Sequence, residues 1–125
     1  MPRPKPRPPL RSLKVSDGFK SFVLDQLEEL GDVTPKSMFG GVGLYHRGVF
    51  FGIVARDTLY LKVGDSNLAD YEQAAMEPFR PYPNRSGKMR YYSVPLDVLE
   101  NAAELAAWSR KAIAVAASSP PSRRG

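Results

Sequence analysis

A single histidine, His46, and no cysteine stand among the 125 residues, which excludes thiolate nucleophiles, disulfide staples and Cys-based zinc sites. A lone imidazole works as a general base only beside a positioned nucleophile or an orienting carboxylate, and His46 stands in a turn-like stretch next to Arg47 and Gly48. Asp97, Glu100 and Glu104 have the spacing of a helix-terminal set, where carboxylates serve capping and the helix dipole as readily as a metal. Gly40-Gly41-Val42-Gly43 lacks the lysine and hydroxyl of a phosphate loop and runs into a β-rich stretch, whereas a dinucleotide site needs a helix N-terminus for the pyrophosphate. These glycines are expected to permit a bulge or close strand contact, with Met38 and Phe39 filling the core. The residues therefore predict no catalytic set, metal or cofactor, and a small enzyme centred on His46 is the least favoured reading.

The chemistry that remains is that of cations interleaved with aromatic rings. No acid occurs from Pro78 to Leu96 or from Val33 to Arg56, while the acids crowd into stretches with helical patterning. In a two-layer fold this separates an acidic helical side from a basic, aromatic sheet side. The candidate binding residues on that side are Tyr60, Lys62, Arg80, Tyr82, Arg85, Lys88 and Arg90. Such a set suits a protein partner or a homodimer, where Tyr and Arg are enriched; the alternative is direct nucleic-acid binding through phosphate contacts and base stacking.

The elements that must position these residues follow from periodicity. Ser16 can cap a helix from Asp17 to Leu30, with Phe19, Phe22, Val23, Leu27 and Leu30 on its apolar stripe and Gly31 ending it. Residues 36–63 read as a three-stranded meander that turns at His46-Arg47-Gly48, in which Leu59, Leu61 and Val63 face the core while Tyr60 and Lys62 face away. Asp65 or Ser66 then caps a short helix closed by Pro78. Two strands, Phe79–Tyr82 and Lys88–Val94, flank a turn-rich linker, and the consecutive Tyr91 and Tyr92 must face opposite sides. Pro95 begins helical structure, which Asn101 and Glu104 restart as a capping box, placing Leu105, Trp108, Ala112, Ile113 and Ala116 on a core-facing stripe. The expected fold is α+β: a two-layer α/β sandwich of order α-βββ-α-ββ-α, with a mainly antiparallel sheet and helices on one face.

The ends differ from the body. Arg3, Lys5, Arg7 and Arg11 alternate with prolines, and Arg123 and Arg124 close the chain, so these six cations carry more than the whole net charge of +5. Residues 1–14 read as a disordered Pro/Arg-rich arm able to act as an auxiliary electrostatic contact, 15–117 as one domain, and 118–125 as a disordered tail. An apolar leader or membrane span is not visible in the pattern, so the expected location is cytoplasmic, without membrane contact.

Met38-Phe39-Gly40-Gly41, Asp65-Ser66-Asn67, Glu77-Pro78-Phe79, Tyr91-Tyr92-Ser93-Val94-Pro95 and Trp108 together resemble the N-terminal domain of the TfoX/Sxy competence-regulator family, over roughly residues 17 to 116. The resemblance implies a small α/β fold with a secretion-chaperone-like outline and a non-enzymatic role in regulation. The family commonly places a basic residue directly before Met-Phe-Gly-Gly. Here Ser37 stands there, with Lys36 one step earlier, which would move the charge to the other face of the strand. The larger regulators carry a second domain, so a stand-alone relative is the expectation.

Overall fold

A computed structural model gives the fold and describes residues 13–80 and 89–118. Helix α1 spans Asp17–Gln26 and tightens into a 3₁₀ turn at Leu27–Glu29; the Ser16 hydroxyl caps it by accepting from the Phe19 N–H at 3.2 Å. Four strands follow, β1 (Val33–Met38), β2 (Gly41–His46), β3 (Val49–Ala55) and β4 (Thr58–Lys62). Then come α2 (Leu68–Gln73), β5 (Pro78–Phe79), β6 (Met89–Ser93), α3 (Leu96–Leu99) and α4 (Ala102–Ser118). The six strands form one sheet of order β1-β2-β3-β4-β6-β5 in which every pairing is antiparallel. The α+β class and the helix-covered face agree with the sequence; the strand count does not.

The extra strand arises at Phe39-Gly40. Both residues have positive φ, +50° and +86°, and they close a two-residue hairpin between β1 and β2. The same geometry recurs at Arg47-Gly48 and Arg56-Asp57, so three tight turns of type I′ character join the four strands. Phenylalanine is a poor signal for a left-handed turn, which is why Met38 to Tyr45 reads as one strand from the sequence. The consequence is a correction: Phe39 does not fill the core but stands 69% exposed at the hairpin tip.

Alternation then sorts the strands into two faces. Val42, Leu44, Phe51, Val54, Leu59, Leu61 and Val63 meet Val23 of α1 and Leu27 of the turn after it, Tyr71 of α2, Val98 and Leu99 of α3, and Leu105 and Ala112 of α4. Trp108 packs against this core with its ring edge-on to Tyr71 at 4.8 Å. Phe22, expected inside, is 38% exposed on the rim of the helical layer, because Val23 and Leu27 take the positions that face the sheet. Between Leu44 and Tyr45 the register slips by one residue of β3, and the bulge turns both Phe51 and Gly52 toward the helices.

The loop after β4 is held by a residue other than the expected caps. Asn67 is buried; its side-chain oxygen accepts from the Gly64 N–H at 2.7 Å and its amide donates to the Lys62 carbonyl at 3.1 Å. It is also the N-cap position of α2, in place of Asp65 or Ser66. The capping box at α4 appears in its first half, with the Glu104 N–H donating to Asn101 Oδ1 at 3.1 Å. Among the described residues the last strands are Pro78–Phe79, which leaves out Arg80, and Met89–Ser93, which leaves out Val94; the rest of their expected extent falls in residues 81–88, outside the described part. Leu13, assigned to the arm from charge pattern, is buried; its N–H donates to the Phe39 carbonyl and its carbonyl accepts from Arg56. Among the described residues no helix is long and apolar enough to cross a membrane.

Candidate functional site

The face of the sheet away from the helices is not bare. Leu13, Ile53, Ala55, Phe79 and Tyr91 form a second apolar cluster there, with Phe50 and Tyr60 packed against it. The turn Arg47-Gly48 sets the pairing His46↔Val49 and then Tyr45↔Phe50, which brings these two rings to stacking distance, 5.0 Å between centroids. Phe50 in turn meets Tyr91 of β6 at 5.5 Å. Gly43 lies beneath this group, where an added Cβ would come within 3.2–3.3 Å of Met38, Phe50 and Tyr45.

A cation lies over the ring at each end of the row. Lys36 Nζ lies 4.8 Å from the centre of the Tyr45 ring and Lys62 Nζ lies 5.1 Å from the centre of the Tyr91 ring. At partly exposed positions each such contact is worth about 0.5–1 kcal/mol. Across the sheet the order is Lys36, Tyr45, Phe50, Lys62, Tyr91. None of the strand residues that the register places on this face is an acid. Lys36 on the face, with Ser37 opposite Val42 on the other side, is the change of strand face that the sequence implies.

Of the residues singled out from sequence, Tyr60 and Lys62 share this face. Tyr60 leans on Phe79 at 4.9 Å, and burial raises its hydroxyl pKa against the lowering influences of Arg56 and a Thr58 hydrogen bond. Arg80 is exposed just past β5. Arg90 corrects the set: the pairing of Lys62 with Tyr91 places Arg90 on the opposite side, where it meets Asp65 at 3.4 Å. Tyr82, Arg85 and Lys88, and the arm residues Arg3, Lys5, Arg7 and Arg11, lie outside the described residues. Lys36, Tyr45 and Phe50 were missed, although a two-residue turn at Arg47-Gly48 already implies that Tyr45 faces Phe50. Tyr91 and Tyr92 divide as alternation requires, Tyr92 turning to Tyr71 on the helical side at 5.9 Å.

His46 ends β2 half-buried, one residue before the turn. No group of three or more His, Cys, Asp and Glu among the described residues is placed to hold a metal.

Burial pushes the Tyr91 hydroxyl up to about 12, with Tyr45 adding to the rise, and burial aided by Asp70 raises Tyr71 as well. Unfolded tyrosines lose their protons near pH 10, before the folded ones do, so this contribution to stability is complete below pH 10 and declines as pH climbs toward 12. The melting temperature should fall across pH 10–11.5, and Tyr91→Phe and Tyr71→Phe should each make that fall shallower. An equally steep fall in both variants would show that these phenols are not the desolvated groups.

At the end of the sheet where β4 stops, the row opens into two clefts that share Lys62. One, about 400 Å³, is lined by Gly48, Val49, Phe50, Tyr91, Ala116 and Ala117; the other, about 310 Å³, includes Asp65, Ser66, Arg90 and Ser118.

The family model of the TfoX N-terminal domain matches residues 25–116. A 66-residue stretch is 35% identical to the DNA transformation protein TfoX1 of Aliivibrio fischeri, covering 53% of this chain but only 30% of that protein. With the family match extending over most of the chain, from α1 to the last turn of α4, this protein belongs to the TfoX N-terminal domain family.

Proposed function

We propose that this domain is a non-enzymatic, cytoplasmic regulatory module, acting in DNA transformation through a protein partner held on its outer sheet face. The observation that carries this is the row of rings capped by Lys36 and Lys62. Tyr45 and Phe50 stack on each other, Tyr91 is only 5% exposed, and an ammonium group covers each terminal ring. Base stacking needs free ring faces, so the arrangement favours a protein surface over nucleobases. A second copy docked by the same face would set lysines near lysines with no strand carboxylate to offset them, which favours a different partner over self-association. The similarity to the DNA transformation protein TfoX1 of Aliivibrio fischeri supports the biological setting.

Charge reversal tests this. Lys36→Glu with Lys62→Glu should leave the fold intact and weaken capture of the partner from native lysate by about tenfold or more. Treating the lysate with nuclease should leave the wild-type capture unchanged. Recovery of the same partner by the double variant would overturn the use of this face, and loss of capture after nuclease would establish the nucleic-acid reading instead.

A further inference from the structure

Taking that face as the binding surface, we infer that its occupant is an acidic peptide segment of the partner that carries an apolar anchor, with the anchor seated in the cleft between Phe50 and Ala117. Three observations converge. The face offers cations at separated points: the backbones of Lys36 and Lys62 stand three strand spacings apart and two residues apart along the strands, roughly 16 Å in all, which an extended peptide covers in about five residues. It offers no strand carboxylate to compete with an incoming acid. The cleft next to Lys62 is walled by Val49, Phe50 and Tyr91 and kept open by small residues, Gly48, Ala116 and Ala117.

The division of labour follows from the chemistry. Lysine ammonium groups recognise carboxylates as point charges and supply rate and orientation more than affinity. Rings whose faces are already occupied present edges and flanks, against which an aliphatic or aromatic side chain can be buried. Seating that side chain in the cleft removes apolar surface from water and fixes the peptide's position along the face. Lys62 borders the cleft and also caps the Tyr91 ring, so one residue links the charged and apolar parts of the site. Arg90, in the neighbouring cleft, is engaged by Asp65 and is the weaker attractor of the two.

The test uses the full chain and four probes: a dodecapeptide with two glutamates four positions apart and one phenylalanine beyond the second, the same peptide with glutamine for glutamate, the same with serine for phenylalanine, and a twelve-nucleotide oligothymidylate. Amide chemical shifts are followed on titration, against wild type and Ala117→Leu, a good helix former at an exposed position that narrows the cleft. The parent peptide should shift Phe50, Lys62, Tyr91 and Ala117, and removing either its acids or its phenylalanine should weaken it by about fivefold or more. Ala117→Leu should bring the parent peptide down to the level of the serine version while leaving that version unchanged. Equal binding of all three peptides, tighter binding of the oligonucleotide, or shifts elsewhere on the domain would each overturn the inference. The two readings fail separately: if Lys36→Glu with Lys62→Glu loses the native partner but the probes do not discriminate, only the acidic-anchor occupant falls, whereas retention of the partner removes the face itself.

Discussion

Leu61→Ala is expected to lower the unfolding free energy by about 2–5 kcal/mol, while Phe22→Ala should cost about 1 kcal/mol or less. Leu61 has no exposed surface and lies in the middle of the sheet, opposite Gly52 of β3 and Tyr92 of β6, within the core that the helices cover. Truncating it removes buried methyl groups and leaves a cavity that flanking strands cannot close without breaking their ladder. Phe22 keeps much of its ring in water and has Phe19 as an aromatic neighbour at 6.5 Å. Chemical denaturation of both variants at equal slope checks the contrast. Comparable losses would mean that α1 presents a different face to the sheet.

The contrast also shows which parts of the fold can be read from the chain. Leu59, Leu61 and Val63 alternate with Tyr60 and Lys62, and a period of two admits one partition, so the buried and outer faces of β4 are legible without coordinates. The helical stripe is less decisive. Phe19, Phe22, Val23 and Leu27 span a wide arc, and which part of it meets the sheet depends on how the helix is docked. Turn chemistry misled most at Phe39, where the sheet imposes a left-handed conformation on an aromatic residue that gives no local sign of it.

The proposed binding face is half legible for a related reason. Tyr60 and Lys62 follow from alternation on a single strand. The row Tyr45, Phe50, Tyr91 requires the order of four strands, including the placement of β6 beside β4 across an intervening helix. Arg90 was misassigned because its face depends on a pairing register between strands far apart in sequence. Patterns within one strand are local physics; patterns across a sheet are set by tertiary pairing.

Gly41→Ala is expected to destabilise by about 1–3 kcal/mol, although it adds a single methyl group. A Cβ at Gly41 would fall 2.6 Å from the backbone oxygen of Val54 and 3.0 Å from Leu13 Cβ. A backbone carbonyl in a paired strand cannot swing aside as a side-chain end can, so β2 and β3 must separate or Leu13 must leave the sheet end where it bonds Phe39 and Arg56. Gly43→Ala meets only the ends of Met38, Phe50 and Tyr45 at 3.2–3.3 Å, so it should cost less and act chiefly on the aromatic row. Gly18→Ala supplies the opposite sign: nothing lies within 4 Å of its added Cβ inside α1, and the gain in helix propensity should stabilise by roughly 0.5–1 kcal/mol. Thermal and denaturant unfolding of the three variants orders them. If Gly41→Ala proves as stable as wild type while Gly43→Ala does not, the close approach of β2 to Val54 and Leu13 is wrong, and the Gly-Gly-Val-Gly run has to be explained by the aromatic row on the outer face alone.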